Sequence, residues 1–476
     1  MGGSIAQART EGREARGGVP YGDLAPRSPW ISQLAPDGPA RPLEADATAD
    51  VAIVGAGIAG VATAFFTLRA TDRSVLLIER DRVARGATGR NAGQLTTYFE
   101  RPLASIAAQF GVALAVEAQR TFDDAHDLMD EIAAEAGTTV RVERFDGHMA
   151  MLNLNHVLVH LENNEVRRRG GIRTDVLRIS EDAAFIGEIP HTFDGLYEVV
   201  PQARVRELLE TTDDRHRAVL SERKGCANGG LFVQQVLADL LRRYPDRLRY
   251  VDATPVERVV VGDRDLRLQA NGHVIAAGHA VLCTNGFTSH LVEDAGGRRV
   301  ELHPEQRVVG TIGYMAAFVE AERRPAAAFS YIRNVAIGGD VPYVYVTRRT
   351  WDLPSGAATL TCMGGPEWPI PDASWDATQP FPGALLTTMD DQVRPYAQPH
   401  RPPRQPYDFQ WHGLMGYMDG RVRVIGAHPE HPPLLYNLGC NGVGFLPSIA
   451  GGQRIGRLLA GERLGASIFD PRTADA

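Results

Sequence analysis

One βαβ segment near the start of the chain constrains its fold more than any other feature. A short apolar run at 51–54, suited to a buried parallel strand, leads into Gly55-Ala-Gly57-Ile-Ala-Gly60. A helical stretch follows, and a second apolar strand ends at Glu79, nineteen residues after Gly60. A strand, a glycine turn, a helix, a strand and an acid in this order predict a dinucleotide-binding unit.

The glycines of this turn have separate functions in such a unit. Gly55 makes the tight turn, Gly57 lets a pyrophosphate approach the backbone, and Gly60 lets the helix pack close to the strand. The helix N-terminus at Ile58 and Ala59 then points backbone N–H groups at the anion. Taken alone, the three glycines would fit an ordinary turn equally well, so the prediction depends on the flanking strands and the acid.

The acid and the segment after it indicate FAD. Glu79 is placed to bind ribose hydroxyls and disfavours the 2′-phosphate of NADP. Small residues in the next segment let the backbone approach an extended ligand, and Thr88 and Arg90 can bind phosphate oxygens, whereas an NAD site needs no second clamp. The alternative is a solvated loop rich in Arg and Gly. The expected FAD contacts here are Arg80, Thr88, Gly89, Arg90, Asn91, Ala92, Gly93 and Gln94.

A second glycine-rich turn lies near the C-terminus. It precedes Pro447, a good first-turn residue, and a helix that runs to about Leu459. The positive helix end would stabilise the negative charge that a reduced flavin gains. A glycine-rich start of a helix without a ligand is the alternative. The expected contacts are Gly439, Asn441, Gly442, Val443, Gly444 and Phe445.

Bulk composition bears on other classes of function. The chain is 44% hydrophobic and 23% charged, as in soluble globular proteins, and its formal net charge of -8 disfavours a nucleic-acid partner. The four cysteines lie far apart and no HExxH pattern occurs, so neither a disulfide framework nor a metal site is expected. Without a signal peptide or a long apolar run, we expect a cytoplasmic protein with no membrane partner.

A chain of 476 residues is too long for one compact core, so we expect two domains. The predicted fold class is α/β: a Rossmann-type FAD-binding domain with an inserted α+β substrate domain built on an antiparallel sheet. We predict a disordered tail at 1–25, an FAD-binding domain at 26–109, 225–294 and 405–476, and a substrate domain at 110–224 and 295–404.

The order of these motifs resembles the D-amino-acid-oxidase-like flavoprotein family. The segment 86–94 (GATGRNAGQ) and the lead-in at 28–50 are most similar to the gamma-glutamylputrescine oxidase branch. The resemblance continues at 280–286 and at 411–417. It implies FAD as cofactor, with further contacts from Val256, Thr284, Asn285 and Gly286.

Departures from the family pattern bear on the substrate and on flavin attachment. Amino-acid-oxidising members hold the substrate carboxylate with an Arg where this chain has Met415, and Met cannot replace a bidentate guanidinium. Another arginine would then have to serve, with Arg307, Arg333, Arg348 and Arg349 as candidates. No cysteine lies near the position at which some relatives bind flavin covalently, so we expect noncovalent FAD.

The predicted catalytic residues are Tyr314, Trp411, His412 and Arg307. An aromatic cage that includes Tyr343 and Tyr345 would disfavour the ammonium form of an amine, which must react neutral, and His412 could act as a base. Core packing is the alternative for the aromatic residues, a histidine held by backbone hydrogen bonds is the alternative for His412, and a solvated surface residue is the alternative for Arg307.

The expected function is hydride removal from a carbon next to nitrogen in a small amine, giving an imine, with oxygen or another electron acceptor reoxidising FAD. One alternative is a biosynthetic flavoenzyme that acts on an unusual nitrogen compound or an amino acid. A non-catalytic FAD-binding module is another. A reductase that takes electrons from NAD(P)H is disfavoured, because no second dinucleotide motif and no redox CxxC occur.

Overall fold

A computed structural model describes residues 21–332, 343–353, 356–370, 374–397 and 405–473 of the chain. These residues form two large sheets with helices packed on them. No helix within these ranges has the length and apolar character needed to cross a membrane.

The strands of the described residues have the following bounds. In chain order they are β1 (Ala47–Val54), β2 (Val75–Ile78), β3 (Gln94–Leu95), β4 (Glu143–Met151), β5 (Val176–Ser180), β6 (Glu198–Val200), β7 (Ala218–Cys226), β8 (Leu248–Val251), β9 (Val256–Val261), β10 (Leu266–Ala270), β11 (His273–Leu282), β12 (Leu291–Asp294), β13 (Val308–Glu320), β14 (Ala327–Ile332), β15 (Tyr343–Leu353), β16 (Gly356–Ile370), β17 (Phe409–Met418), β18 (Val424–Ala427) and β19 (Leu434–Leu438).

The helices of the same residues are mostly amphipathic connections between these strands. They are α1 (Pro29–Ser32), α2 (Ile58–Ala70), α3 (Leu103–Phe110), α4 (Val112–Asp123), α5 (Ala125–Ala136), α6 (Leu154–Arg169), α7 (Gln202–Leu208), α8 (Gly229–Arg243), α9 (Gly383–Gln392), α10 (Arg394–Ala397) and α11 (Phe445–Leu459), with 3₁₀ turns at Ala87–Gly89, Ile186–Glu188, His191–Phe193 and Pro304–Gln306.

The first sheet has the strand order β12-β9-β10-β11-β1-β2-β8, and β19 joins it beside β11 with β18 beside β19. Its centre is parallel, because β1 pairs in parallel with both β2 and β11, and β11 with β19. Val51 and Ile53 face the cluster formed with α2, α8 and α11, whereas Ala52 and Val54 face a second cluster beneath β9 and β10. Burial on both faces explains why β1 reads as a continuous apolar run.

Helix α11 lies directly against α2 on the first sheet. Two of its glycines make the approach possible: a Cβ on Gly452 would lie 2.7 Å from the carbonyl carbon of Ala62, and one on Gly456 would lie 2.8 Å from Cβ of Phe66. Helix α11 therefore begins beside the glycine turn at 55–60, which we call the dinucleotide turn, although the two are far apart in the sequence.

The second sheet has the order β17-β13-β16-β15-β14-β4-β7-β5-β6, with β3 beside β7. Its long strands β13, β15, β16 and the edge strand β17 pair antiparallel. A first sheet with a parallel centre and a largely antiparallel second sheet confirm the predicted fold class.

Three segments pack differently from the predicted domain boundaries. Strand β17, which we assigned to the FAD-binding domain, pairs with β13 in the second sheet. Helices α4 and α5, assigned to the substrate domain, pack into the same apolar cluster as α2, α8 and α11. Both differences arise because long-range packing, which local sequence does not encode, decides where an amphipathic element docks.

The predicted disordered tail also needs correction at its end. Residues 1–20 lie outside the described residues, but Leu24 pairs with Phe381 and the Ala25 carbonyl accepts a hydrogen bond from the Gln410 side chain at 2.7 Å. Tyr21 packs against Tyr407 with ring centroids 5.8 Å apart. Residues 21–25 are therefore held on the second sheet and its helices.

Candidate cofactor and substrate cavity

A cavity of about 800 Å³ is lined by residues of both sheets. The first sheet contributes the ends of its parallel strands, including Gly55, Glu79 and Cys283. The second sheet contributes Tyr345 and Met415 from β15 and β17. Ligands bind outside the carboxyl ends of parallel strands in this kind of sheet, so the cavity lies where the dinucleotide motif predicts a ligand.

Sterically demanding contacts explain the glycines of the first turn. Gly55 has φ of +106°, and a Cβ there would lie 2.7 Å from the Cys283 carbonyl oxygen. A Cβ on Gly60 would lie 1.8 Å from the Gly55 carbonyl oxygen, which no packing could accommodate. A Cβ on Gly57 would lie 2.9 Å from Thr88 Oγ1. A turn without side chains at the N-terminus of a thirteen-residue helix fits a dinucleotide diphosphate.

Glu79 is partly buried against the same turn. Its Oε2 accepts a hydrogen bond from the Ala56 N–H at 2.7 Å, and its Oε1 accepts one from the Asp81 N–H at 3.0 Å. Burial raises the pKa of the Glu79 carboxyl above its ordinary value despite these two bonds. Each oxygen retains a second lone pair, so the carboxylate can hold the turn and still accept a ribose hydroxyl.

The loop that follows, residues 86–94, is held from outside by the lead-in of the chain. Ser28 Oγ donates to the Gly89 carbonyl at 2.6 Å, and Trp30 Nε1 donates to the Asn91 carbonyl at 2.6 Å. Inside, Thr88 Oγ1 accepts from the Ile58 N–H at 2.9 Å. Thr88 therefore closes the first turn of α2, and its hydroxyl proton remains available to donate to a phosphate oxygen.

At the C-terminal glycine turn, the side chain of Asn441 points away from the cavity. Asn441 Oδ1 accepts from the Met418 N–H at 2.8 Å, and Asn441 Nδ2 donates to the Gly439 carbonyl at 3.2 Å. These bonds fasten the turn to β17. Gly442, which follows it, lines the cavity.

Most of the residues predicted to bind the cofactor line this cavity, and the others are close to lining residues in the sequence. Those on the wall are Gly55, Gly57, Ile58, Ala59, Glu79, Arg80, Thr88, Arg90, Asn91, Ala92, Gln94, Val256, Thr284, Asn285, Gly442, Val443, Gly444 and Phe445; those that do not line it are Gly60, Gly89, Gly93, Gly286, Gly439 and Asn441.

At another part of the cavity the wall is acidic and aromatic. Tyr343 Oη donates to Glu100 Oε1 at 3.1 Å, and Tyr417 Oη donates to Glu367 Oε2 at 2.9 Å. Tyr98 completes this group, which we call the acidic wall. Burial is the main cause that raises the pKa of Glu100 and of Glu367 to about 7 in each case.

The cations nearest the acidic wall are held outside the cavity. Lys224, the only lysine of the chain, is buried with its Nζ 2.9 Å from Glu222 Oε1 and 5.3 Å from the centre of the Tyr98 ring. The Arg421 guanidinium lies 4.6 Å from the centre of the Tyr417 ring. Neither cation lines the cavity among the described residues, so the two carboxyl groups face it without a paired positive charge.

The structure does not bring the four predicted catalytic residues to the cavity. Side chains alternate along a strand, and the wall residues Gly413 and Met415 place their neighbour His412 on the opposite face. His412 Nδ1 accepts from Trp375 Nε1 at 2.8 Å and His412 Nε2 is 2.8 Å from the Gln379 carbonyl, so its ring is fully bonded. It is therefore no candidate for a base.

The other three predicted catalytic residues have structural contacts instead. Tyr314 packs edge-on against Trp368 and Phe381 in the core. Trp411 is fully buried and donates its indole N–H to the Arg90 carbonyl at 3.2 Å. Arg307 lies on the surface, where its side chain is 60% exposed and pairs with Glu301. Tyr314, Trp411 and His412 lie on strands beside the cavity but face away from it, and Arg307 lies just before β13 on the surface, so the prediction of these four as catalytic residues is wrong.

Of the other arginines considered for a carboxylate, the two that the structure describes are held elsewhere. Arg348 forms a double hydrogen bond with Glu210, at 2.6 and 2.7 Å. The guanidinium of Arg349 lies buried over the Trp30 ring, away from the cavity. Arg333 lies outside the described residues.

Sequence analysis predicted Tyr343 and Tyr345 at the site, and both line the cavity. It missed the carboxyl groups of the acidic wall and Tyr98, although one signal for Tyr98 and Glu100 was present. Gln94, Thr96, Tyr98 and Glu100 all line the cavity, and they alternate with residues that do not. This period of two is typical of an extended segment with one face toward a site. Glu367 has no such local signal, because its position depends on the pairing of β16 with β13.

Comparison with known proteins agrees with this architecture. Solved structures with a similar fold include glycine oxidase from Geobacillus kaustophilus, with a TM-score of 0.61 and 17% identity over 89% of this chain and 98% of that one. L-proline dehydrogenase from P. horikoshii has a TM-score of 0.62 and 14% identity over 87% and 93%. NikD, an unusual amino acid oxidase essential for nikkomycin biosynthesis, has 0.61 and 11% over 90% and 98%.

These identities are low, and the similarity of the structures therefore concerns the fold. The sequence itself matches a family profile over residues 50–458, from the first strand of the dinucleotide turn to the end of α11. This match covers the glycine turn, the cavity and both sheets. The chain belongs to the DAO family of FAD dependent oxidoreductases.

Proposed function

We propose that the protein oxidises a small amine at a carbon next to nitrogen and that this substrate carries a second positive charge and no carboxylate beside the reacting amine. The observation that carries the proposal is the acidic wall, in which Glu100 and Glu367 face the cavity and form no ion pair within the described part of the chain. Arg421, which lowers the pKa of both, and Lys224, which lowers that of Glu100, do not line the cavity. A substrate that brings its own cation would supply the missing partner.

The cofactor would be held at the other part of the cavity. Gly55, Gly57 and the start of α2 would bind the diphosphate, Glu79 the ribose, and the turn at 442–445 the flavin end. Bound FAD supplies the hydride acceptor. The protein orients the amine and excludes water around it, and electrons pass finally to oxygen or another acceptor.

The acidic wall suits an ammonium group for two physical reasons. Carboxylates attract the cation in a site where burial weakens the screening by water. The faces of Tyr98, Tyr343 and Tyr345 add a cation–π attraction of about 0.5–2 kcal/mol. Both effects act on the distal ammonium, which leaves the reacting nitrogen free to be neutral.

Met415 supports the second half of the proposal. Its side chain lines the cavity where amino-acid-oxidising relatives are expected to have a guanidinium. A carboxylate bound near Met415, Glu100 and Glu367 would lose hydration without a partner and meet like charge, at a cost of roughly several kcal/mol.

Arg90 favours a second candidate function, the oxidation of an amino acid. Its guanidinium lines the cavity 5.5 Å from the centre of the Trp375 ring, and its Nε donates to the Arg85 carbonyl. In this alternative Arg90 would clamp the substrate carboxylate in the place of the missing arginine. The fold is also shared with proteins named glycine oxidase and amino acid oxidase.

Anaerobic reduction of the flavin by a matched set of substrates tests the proposal. The set is 1,4-diaminobutane and its mono-N-acyl derivative, n-butylamine, glycine, sarcosine and D-alanine. We expect the diamine to reduce the flavin at least about tenfold faster than any amino acid, a difference of about 1.4 kcal/mol in barrier. Faster reduction by the amino acids supports the Arg90 alternative, and no reduction by any compound contradicts both candidates.

Two isosteric variants connect this result to the acidic wall. Glu100→Gln and Glu367→Gln should each lower kcat/KM for the diamine by about tenfold, or about 1.4 kcal/mol, with little change for n-butylamine. Glu143→Gln is the matched control, because Glu143 is a partly buried acid on the second sheet that bonds to Thr350 and does not line the cavity. An equal loss for diamine and monoamine would contradict the proposed contact.

We also propose that FAD is bound noncovalently. Cys283 and Cys440 line the cavity, but burial raises the pKa of both thiols, that of Cys283 to about 12, so both are neutral and weakly nucleophilic. Acid precipitation should release nearly all the yellow colour into the supernatant. Flavin that stays with the pellet of the wild type, and is released from Cys440→Ser, would show a covalent bond to Cys440.

A further inference from the structure

One buried arginine lines the cavity with most of its hydrogen-bonding capacity unused. Arg423 lies immediately before β18, is only 3% exposed, and borders the cavity beside Asn437 and Ser448. Its Nη2 donates to Asn437 Oδ1 at 3.1 Å and to Ser448 Oγ at 2.9 Å. Its Nε and Nη1 have no hydrogen-bond partner among the residues that the structure describes.

An arrangement of this kind is costly unless something completes it. A buried donor without a partner costs about 1–3 kcal/mol, and more when the group is charged. No carboxylate is near enough to perturb Arg423; after burial, the groups that affect its pKa are the thiols of Cys440 and Cys283. Burial lowers the Arg423 pKa to about 10, so the guanidinium remains positively charged at neutral pH.

A second positive feature lies at the same place. Helix α11 begins at Phe445 and runs for fifteen residues, with glycine as its N-cap, no side-chain cap and no acidic residue in its first turn. Its first turn includes Ser448, which holds Arg423. The partial positive charge of the helix end therefore adds to that of the guanidinium.

The position of Arg423 relative to the dinucleotide turn indicates what it faces. Cys283, one of the two thiols that affect Arg423, bonds through its backbone N–H to Val54 at 2.9 Å and lies against Gly55. Arg423 thus lies near the dinucleotide turn, and neither Glu100 nor Glu367 is among the groups that affect its pKa. A substrate carboxylate would be a less suitable partner than a group of the dinucleotide.

We propose that Arg423 binds an anionic part of FAD, either the diphosphate or the edge of the flavin ring that becomes negative on reduction, with its unpaired Nε and Nη1. The guanidinium and the N-terminus of α11 act together on this anion. Arg423 is then a cofactor-positioning residue. The proposal depends on FAD as the cofactor and is independent of the substrate.

Three measurements on Arg423→Met and Arg423→Lys test this assignment. They are the Kd of apoprotein for FAD, the Kd for ADP, and the two-electron midpoint potential of bound flavin. If Arg423 binds the diphosphate, Arg423→Met should weaken FAD and ADP by at least tenfold. If it binds the ring, ADP affinity should be unchanged and the potential should fall by about 30 mV, which is a tenfold change for a two-electron couple.

The lysine variant and a second buried arginine control for general damage to the fold. Arg423→Lys keeps the charge and should recover part of whichever property the methionine variant loses. Arg348 is equally buried but pairs with Glu210 outside the cavity, so Arg348→Met should change thermal stability without changing the affinities or the potential. The proposal would be overturned if, for both Arg423 variants, the two Kd values changed by less than twofold and the midpoint potential of bound flavin did not change.

Discussion

The cavity has two contrasting parts. The dinucleotide turn at 55–60 presents backbone and bare Cα atoms, whereas the acidic wall presents carboxyl and phenol groups. The turn comes from one continuous segment, and its shape depends on contacts such as that of Gly60 with the Gly55 carbonyl. The wall is assembled from distant segments that include Glu100, Glu367 and Tyr417. A substitution in the glycine turn alters the shape of the whole turn, whereas a substitution in the acidic wall alters one functional group and leaves the others in place.

The largest effect on stability and FAD affinity should come from a substitution in the dinucleotide turn. Gly60→Ala would place Cβ 1.8 Å from the Gly55 carbonyl oxygen, so the helix must move away from the strand. We expect a loss of about 1–3 kcal/mol of stability or more, and FAD affinity lower by about 100-fold. Fluorescence titration of apoprotein and thermal melting measure both quantities. Gly187→Ala, at a glycine with no atom within 4 Å of a built Cβ, should change neither.

A second test changes the charge of the cavity wall near the acidic wall. Met415→Arg places a cation on the cavity wall, opposite in sign to Glu100 and Glu367. We expect the ratio of kcat/KM for 1,4-diaminobutane to that for D-alanine to fall by at least about tenfold, or about 1.4 kcal/mol, with FAD affinity unchanged. An unchanged ratio would mean that Met415 does not face the substrate.

The smallest expected effect concerns the charge of the wall. The carboxyl pKa values of Glu100 and Glu367 are raised to about 7, so the groups are neutral below and ionised above this pH. A bis-quaternary alkane, whose charge does not titrate, should therefore bind up to about tenfold more tightly at pH 8 than at pH 6. The phenols of Tyr98 and Tyr343 stay protonated throughout because burial raises their pKa. The Glu100→Gln/Glu367→Gln double variant should show no such slope by calorimetry.

The same contrast explains what could be predicted from the sequence. The dinucleotide turn was predictable because its glycines, strands and acid are neighbours in one segment, and the helix predicted to run to about Leu459 matches the end of α11. The order of strand, helix and strand also predicted the parallel centre of the first sheet. The position of Glu367 was not predictable, since it depends on which residue of β13 lies opposite.

The prediction of the catalytic residues was wrong for a narrower reason. A strand has two faces, and a choice of Tyr314 over Gly313, or of His412 over Gly413, moves the prediction from the cavity to the core. The prediction chose residues by the chemistry of their side chains, but in each strand the residue that faces the cavity is the neighbouring glycine.

The pairing of β11 with β19 and of α11 with α2 also has a consequence for how the protein acquires its structure. The first strand and its helix are synthesised long before their neighbours Leu434–Leu438 and Phe445–Leu459. Contacts of such long sequence separation slow folding and leave apolar surface exposed in the meantime. The nascent chain therefore holds half of its cofactor site open until these two segments have been synthesised.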